Sequence, residues 1–156
     1  MNRILIAYYS WGGNTEAAAG TIREKTGGDL FRIDSVEPYP VGYSETTRAA
    51  KRELRENARP EVSDRVEGME RYDTVFLGYP NWWGTVPTVV MTFLESYDMS
   101  GKTILPFCTH GGGGIGRSED DIRKLCPGAR VEKGLALSGS RAGRADGDID
   151  RWLPSS

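Results

Sequence analysis

Short apolar runs alternate along the chain with longer stretches of helical period. Arg3–Tyr9 is nearly continuous in apolar residues, as expected of a strand covered on both faces. Asn14–Thr26 follows as a helix, and its small residues Ala17, Ala18, Ala19 and Gly20 let it lie close to a sheet. Asp29–Ser35 reads as a second strand, and Val36–Tyr43, with Pro38 and Pro40, as a loop. Ser44–Ala58 is a weakly amphipathic helix whose thin apolar stripe is Ala50, Leu54 and Ala58. Asp73–Tyr79 is a third strand. Thr85–Tyr97 has the clearest helical period, with Val86, Val89, Val90, Phe93, Leu94 and Tyr97 on one face and Pro87 in the first turn. Lys102–Thr109 is a fourth strand. Ser118 and Asp121 form a capping pair for a helix that runs to Leu125 and stops at Pro127-Gly128. Arg130–Leu137 is a fifth strand, and Asp146–Leu153 a short terminal helix. Five strands alternating with helices predict right-handed crossovers and an α/β fold, a doubly wound parallel sheet with helices on both faces.

Length and composition narrow this picture. A chain of 156 residues fits a single domain spanning 1–156, and 38% hydrophobic with 27% charged residues describes an ordinary globular protein. The net charge of −2, without a basic run, gives no case for nucleic acid. Cys108 and Cys126 are too far apart for a dithiol motif or a zinc site and too few for a secreted disulfide scaffold. No stretch approaches the length of a membrane span, and Ile4–Tyr9 is too short for a signal sequence, so a cytoplasmic location is expected.

Ligands of open α/β sheets bind outside the carboxyl ends of the strands, where the strand order reverses. Three loops at such ends carry candidate chemistry. The first is Ser10-Trp11-Gly12-Gly13-Asn14-Thr15, between a strand and a helix. Backbone N–H groups there suit a phosphate, and Ser10, Asn14 and Thr15 add side-chain donors. Without Lys or Arg, the loop suits a terminal monophosphate, and the pattern of a nucleotide triphosphatase is absent. An ordinary strand–helix turn remains the alternative. The second loop is Tyr79-Pro80-Asn81-Trp82-Trp83-Gly84-Thr85, where two adjacent tryptophans either cover a flat apolar ligand or pack on neighbouring helices. The third is Thr109-His110-Gly111-Gly112-Gly113-Gly114-Ile115-Gly116, whose glycines permit close approach to a ligand edge or simply a flexible loop. Gly111, Gly113 and Gly116 match a dinucleotide fingerprint only formally, because the acidic partner, Glu132, falls inside the next strand.

Together these loops resemble the flavodoxin family, most closely its short-chain branch with a Pro-x-Trp-Trp-Gly second loop, here Pro80–Gly84. The resemblance runs from Ile4 to about Ser140. It implies FMN as cofactor, strand order 2-1-3-4-5 and electron transport between redox partners. In its terms Ser10, Trp11, Gly12, Gly13, Asn14 and Thr15 hold the phosphate, and Pro80, Asn81, Trp82, Trp83 and Gly84 line the ribityl chain and one ring face. Thr109, His110, Gly111, Gly112 and Gly113 edge the pyrimidine end. Trp83 takes the place of the ring-stacking aromatic, and the Gly84 carbonyl is the one that faces N5 when N5 is protonated. No metal and no protein acid, base or nucleophile is expected. His110 either tunes the flavin as a cation near N1 or faces solvent.

Two departures matter. The third loop has glycine where many carriers have a tyrosine over the second ring face, and the chain lacks their strong acidity. Both keep open an FMN-dependent NAD(P)H oxidoreductase acting on a quinone or similar acceptor, or an accessory flavoprotein subunit of a dedicated reductase. Arg141 and Arg144 follow the fifth strand, where they form a solvated loop or meet an acidic partner or a nicotinamide phosphate.

Overall fold

The computed structural model describes residues 3–40 and 42–154. The strands β1 (Ile4–Tyr8), β2 (Asp29–Arg32), β3 (Thr74–Pro80) and β4 (Thr103–His110) are all parallel. The fifth position is shared by two short strands, β5 (Arg130–Val131) and β6 (Leu135–Ser138), both paired to β4. The order β2-β1-β3-β4-β5 is the expected one. Helices α1 (Asn14–Thr26) and α5 (Asp146–Trp152) lie on one face of the sheet. There Ala18, Ala19, Ile22 and Ile149 bury against Ile6, Phe76 and Phe107. The other face carries α3 (Thr88–Glu95) and α4 (Ser118–Leu125), with Val89, Val90, Phe93 and Ile122 against Leu5, Val75, Leu77 and Ile104. Helix α2 (Tyr43–Arg55) lies outside α3 on that side and buries only Thr46 and Ala50. Among the described residues, no helix is long and apolar enough to cross a membrane.

Four sequence expectations need correction. The fifth strand is not continuous from Arg130 to Leu137: between Ile104–Val131 and Phe107–Leu135 the chain takes three steps along β4 against four along its partner. Even-numbered residues of β4 face that partner, since the Lys102 and Ile104 carbonyls accept from Arg130 and Glu132. Pro106 falls in the same phase and has no N–H to donate, so the ladder breaks beside it. Second, α3 starts at Thr88, not Thr85. The residue before a proline is pushed toward extended angles, and Pro87 itself stands outside the first turn with ψ 148°. Third, Ser118 does not cap α4. Its hydroxyl is buried, donates to the Ile115 carbonyl at 2.6 Å and is 2.8 Å from the Tyr79 hydroxyl, while Asp121 accepts from Thr85. Fourth, β2 stops at Arg32, and Ser35 instead bridges Val62 in antiparallel fashion.

Candidate functional site

The carboxyl ends of β1, β3 and β4 open onto one cleft of about 680 Å³, within the ~300–1,000 Å³ usual for small-ligand sites. It lies at the reversal of strand order, between the loops that follow β1 and β3. Of the residues singled out from sequence, Trp11, Asn14, Pro80, Asn81, Trp82, Trp83, Thr109, His110, Gly111 and Gly112 line it. Ser10, Gly12, Gly13, Thr15, Gly84 and Gly113 do not form its walls.

The first loop turns into α1 through Gly12 and Gly13, at φ 88° and 96°, angles that side chains resist. The helix head is only partly satisfied. Glu16 N–H donates to the Ser10 hydroxyl at 3.1 Å and Ala17 N–H to the Gly13 carbonyl at 3.0 Å. Among the described residues, the N–H groups of Gly12, Gly13, Asn14 and Thr15 meet no acceptor. Ser10 and Thr15 are buried, and their hydroxyls are engaged within the protein. Ser10 closes the helix head, and the Thr15 hydroxyl pairs with that of Thr109 at 2.8 Å, tying the loop to the end of β4. Arg32 braces the loop from behind, donating to the Ser10 carbonyl at 3.0 Å while paired to Glu16 and Asp34.

The two tryptophans of the second loop have separate environments. Trp82 packs edge-on against Tyr9 and Tyr39, with ring centres 5.4 and 5.0 Å away. Burial raises the hydroxyl pKa of both tyrosines; nearby Asp34 adds to this at Tyr9, and the hydrogen bond to Glu53 adds to it at Tyr39. Trp83 is 44% exposed with φ 58°. Its indole N–H donates to the Thr47 carbonyl at 2.9 Å, and Lys51 Nζ lies 4.9 Å from its ring centre.

The second and third loops are pinned together. The Asn81 side chain accepts from Gly84 N–H and donates to the Gly114 carbonyl, both at 2.8 Å, while its own N–H donates to the Thr109 carbonyl. Gly116 passes so close that a Cβ would stand 2.4 Å from the Gly84 oxygen. That oxygen accepts the Arg117 N–H at 2.8 Å. The Gly84 carbonyl is held here by the head of α4, and the turn toward a protonated N5 that the resemblance implies would exchange this bond for one to the ligand. Nδ1 of His110 accepts from Gly112 N–H at 3.0 Å, so it acts as an acceptor within the turn and leaves Nε2 open.

The sequence reading missed two walls. Tyr43, Thr46, Thr47 and Ala50 come from α2, and Ser138, Gly139 and Ser140 from the end of β6 and the segment after it. The second group follows a strand end and obeys the same topological rule as the three loops. The first carries only an i, i+3, i+4, i+7 spacing, which does not distinguish a cleft wall from a core face.

A doubly wound parallel sheet with a phosphate-sized set of free amides and an aromatic-walled cleft at its switch point defines a nucleotide- or flavin-binding class of protein. The chain belongs to the flavodoxin family, whose pattern matches residues 3–155. A Bacteroides eggerthii protein to which a flavoprotein role is ascribed is 32% identical, over 98% of this chain and 96% of its own, at a TM-score of 0.86. A Lactobacillus acidophilus flavoprotein solved in complex with FMN is 24% identical over 97% and 99% of the two chains, with a TM-score of 0.73. A Fusobacterium nucleatum flavodoxin bound to flavin mononucleotide shares the fold at 17% identity, covering 99% and 100%, with a TM-score of 0.55. No curated protein sequence matches the chain.

Proposed function

We propose that this chain holds one FMN in the cleft and relays electrons between redox partners, as a member of the short-chain branch of its family. The observation that carries the reading is a cleft walled by Trp83 that reaches Asn14 at the head of α1, where four successive N–H groups meet no acceptor among the described residues. Gly12, Gly13, Asn14 and Thr15 would receive the terminal phosphate as neutral donors, assisted by the α1 dipole at ~0.3–1 kcal/mol. The Gly12 and Gly13 positions leave the approach open, since a Cβ at either would touch nothing within 4 Å. Trp83 supplies a flat apolar wall that excludes water from the ring. Its indole is fixed by Thr47, which limits the entropy lost on binding. Thr109, His110, Gly111 and Gly112 bring backbone polar groups to the opposite edge. When bound, FMN supplies reversible one- and two-electron chemistry that no side chain here provides. The FMN-bound relatives from Lactobacillus and Fusobacterium support the choice of cofactor.

A second reading, an FMN-dependent NAD(P)H oxidoreductase, is favoured by the bare glycine run Gly111–Gly114, which places no side chain over that side of the cleft. The two readings separate in one experiment. Apoprotein is loaded with FMN, desalted, and exposed anaerobically to NADPH and then to a separate flavoprotein reductase. A carrier stays yellow with NADPH alone and bleaches once the reductase is added. Bleaching by NADPH alone identifies the oxidoreductase, and a colourless desalted protein overturns both.

A further inference from the structure

One face of α2 carries four cations. Arg48, Lys51, Arg52 and Arg55 recur at i, i+3, i+4 and i+7, so they form a single stripe, and all four are exposed. Among the described residues, none of them lies within 4.0 Å of a carboxylate. The acidic residues of the same helix point elsewhere. Glu53 turns inward to accept from Tyr39 and Thr88, and Glu45 folds back against Gly42. Glu56 stands past the last turn as its cap. This unpaired positive stripe sits on a protein whose net charge is −2.

The stripe adjoins the cleft directly. The neighbouring face of the same helix, Tyr43, Thr46, Thr47 and Ala50, forms one of the cleft walls. Lys51, at the inner edge of the stripe, stacks over the Trp83 ring, and Trp83 is the half-exposed wall between cleft and solvent. Anything seated on the stripe therefore lies against the indole that would cover the flavin.

We propose that this face of α2 docks a redox protein with an acidic surface around its own redox centre. The inference rests on the FMN-carrier reading and adds the polarity of the partner. A row of unpaired cations attracts an acidic surface over a Debye length of ~10 Å at 0.1 M salt, and its main effect is on the rate and orientation of encounter. An Arg or Lys every turn matches a carboxylate patch along about 11 Å of helix, at the 1.5 Å rise per residue over seven residues.

The test uses the FMN-loaded protein with two probes, a reduced acidic plant-type ferredoxin and an oxidised basic c-type cytochrome. Each ferredoxin cluster gives up one electron, so two are oxidised for each flavin bleached. Flavin bleaching by reduced ferredoxin is followed by stopped flow, and so is flavin recolouring by the cytochrome in protein first reduced with dithionite and freed of the excess, two haems being reduced per flavin reoxidised. Both are run between about 10 mM and about 300 mM salt, for the wild-type chain, Arg48→Glu/Arg52→Glu/Arg55→Glu and Arg48→Gln/Arg52→Gln/Arg55→Gln. The ferredoxin rate is expected to fall roughly tenfold or more with salt in the wild type, less in the glutamine variant, and not at all in the glutamate variant. The cytochrome rate should rise in the glutamate variant. FMN affinity and reduction by dithionite stay unchanged, which separates this outcome from loss of the cofactor site or of the fold. A ferredoxin rate with the same salt response in all three proteins overturns the docking surface and leaves the carrier reading standing. Slower reduction by NADPH, with ferredoxin unaffected, also overturns it and assigns the stripe to a dinucleotide phosphate. Failure to retain FMN removes the carrier reading and this inference with it.

Discussion

Trp82 and Trp83 are adjacent in sequence and differ in what their loss should do. Trp83 is held by one hydrogen bond and faces the cleft, so Trp83→Ala removes a wall and little of the core. Stacking of a heterocycle on an aromatic side chain is worth ~1–3 kcal/mol, so the FMN dissociation constant should rise about tenfold or more with little change in the urea midpoint. Trp82→Ala instead removes a partly buried ring from an aromatic cluster with Tyr9 and Tyr39, and its main effect should be on stability, below the ~3–5 kcal/mol of a fully buried Trp→Ala. Fluorescence titration beside urea unfolding distinguishes the two, and equal effects on both readouts would count against the division. Cys108 gives a pH-dependent test. It is fully buried, and burial pushes its thiol up to about 12. The folded state favours the protonated thiol. Its contribution is therefore complete below the unfolded value of ~8.5 and is lost as pH rises from there through about 12, by up to ~1.4 kcal/mol per pH unit. Cys126, raised to about 11, and the buried Tyr9, Tyr39 and Tyr79 act in the same direction. The urea midpoint should fall steadily above about pH 9, and Cys108→Ala should make that fall shallower.

The elements meet through their loops. Asn81 is the clasp between the second and third loops, with three hydrogen bonds to Gly84, Gly114 and Thr109. Asn81→Leu leaves the Gly84 donor without a partner and the Gly114 acceptor with only the weak Cys108 thiol, at ~1–3 kcal/mol for each group that stays dry. Gly116→Ala puts a methyl against the Gly84 oxygen at an angle of φ 59°. Both changes should loosen the cleft together, seen as faster amide exchange at Gly84 and Arg117 and weaker FMN binding; exchange that is unchanged in both would remove the clasp. How much of this the sequence shows depends on where its cause lies. Helix α1 is legible from end to end because glycine pairs, Gly12-Gly13 and Gly27-Gly28, bound it on both sides. The start of α3 is legible in hindsight from Pro87 alone. The break between β5 and β6 is not, because its cause is Pro106 on the neighbouring strand and appears only once register is known. The same holds for the α2 wall of the cleft, since nothing local says which helix a loop will face.

At the scale of the whole molecule, the balance of charge says how each part of a ligand would be held. The loop at the head of α1 contains no Lys or Arg, and the nearest guanidinium, Arg32, is already shared between Glu16 and Asp34 behind it. A stripe of four unpaired cations sits instead on the outer face of α2. A phosphate recognised by amide donors should respond differently to salt from a partner recognised by a charged stripe. Binding to the folded chain alone stabilises by ~2.7 kcal/mol at a ligand concentration a hundred times the dissociation constant. For a chain of this size each kcal/mol moves Tm by ~2–4 °C, so saturating FMN should raise it by roughly 5–10 °C. Riboflavin, which has the ring and no phosphate, should raise it distinctly less. If the amides of Gly12, Gly13, Asn14 and Thr15 do the holding, the FMN shift should persist from about 0.05 M to about 0.5 M NaCl, because hydrogen bonds to neutral donors do not depend on counterion release. Thermal melts across that range decide the matter: a shift that collapses with salt would assign the phosphate to surface cations, and an equal shift with riboflavin would remove the α1 head from the site.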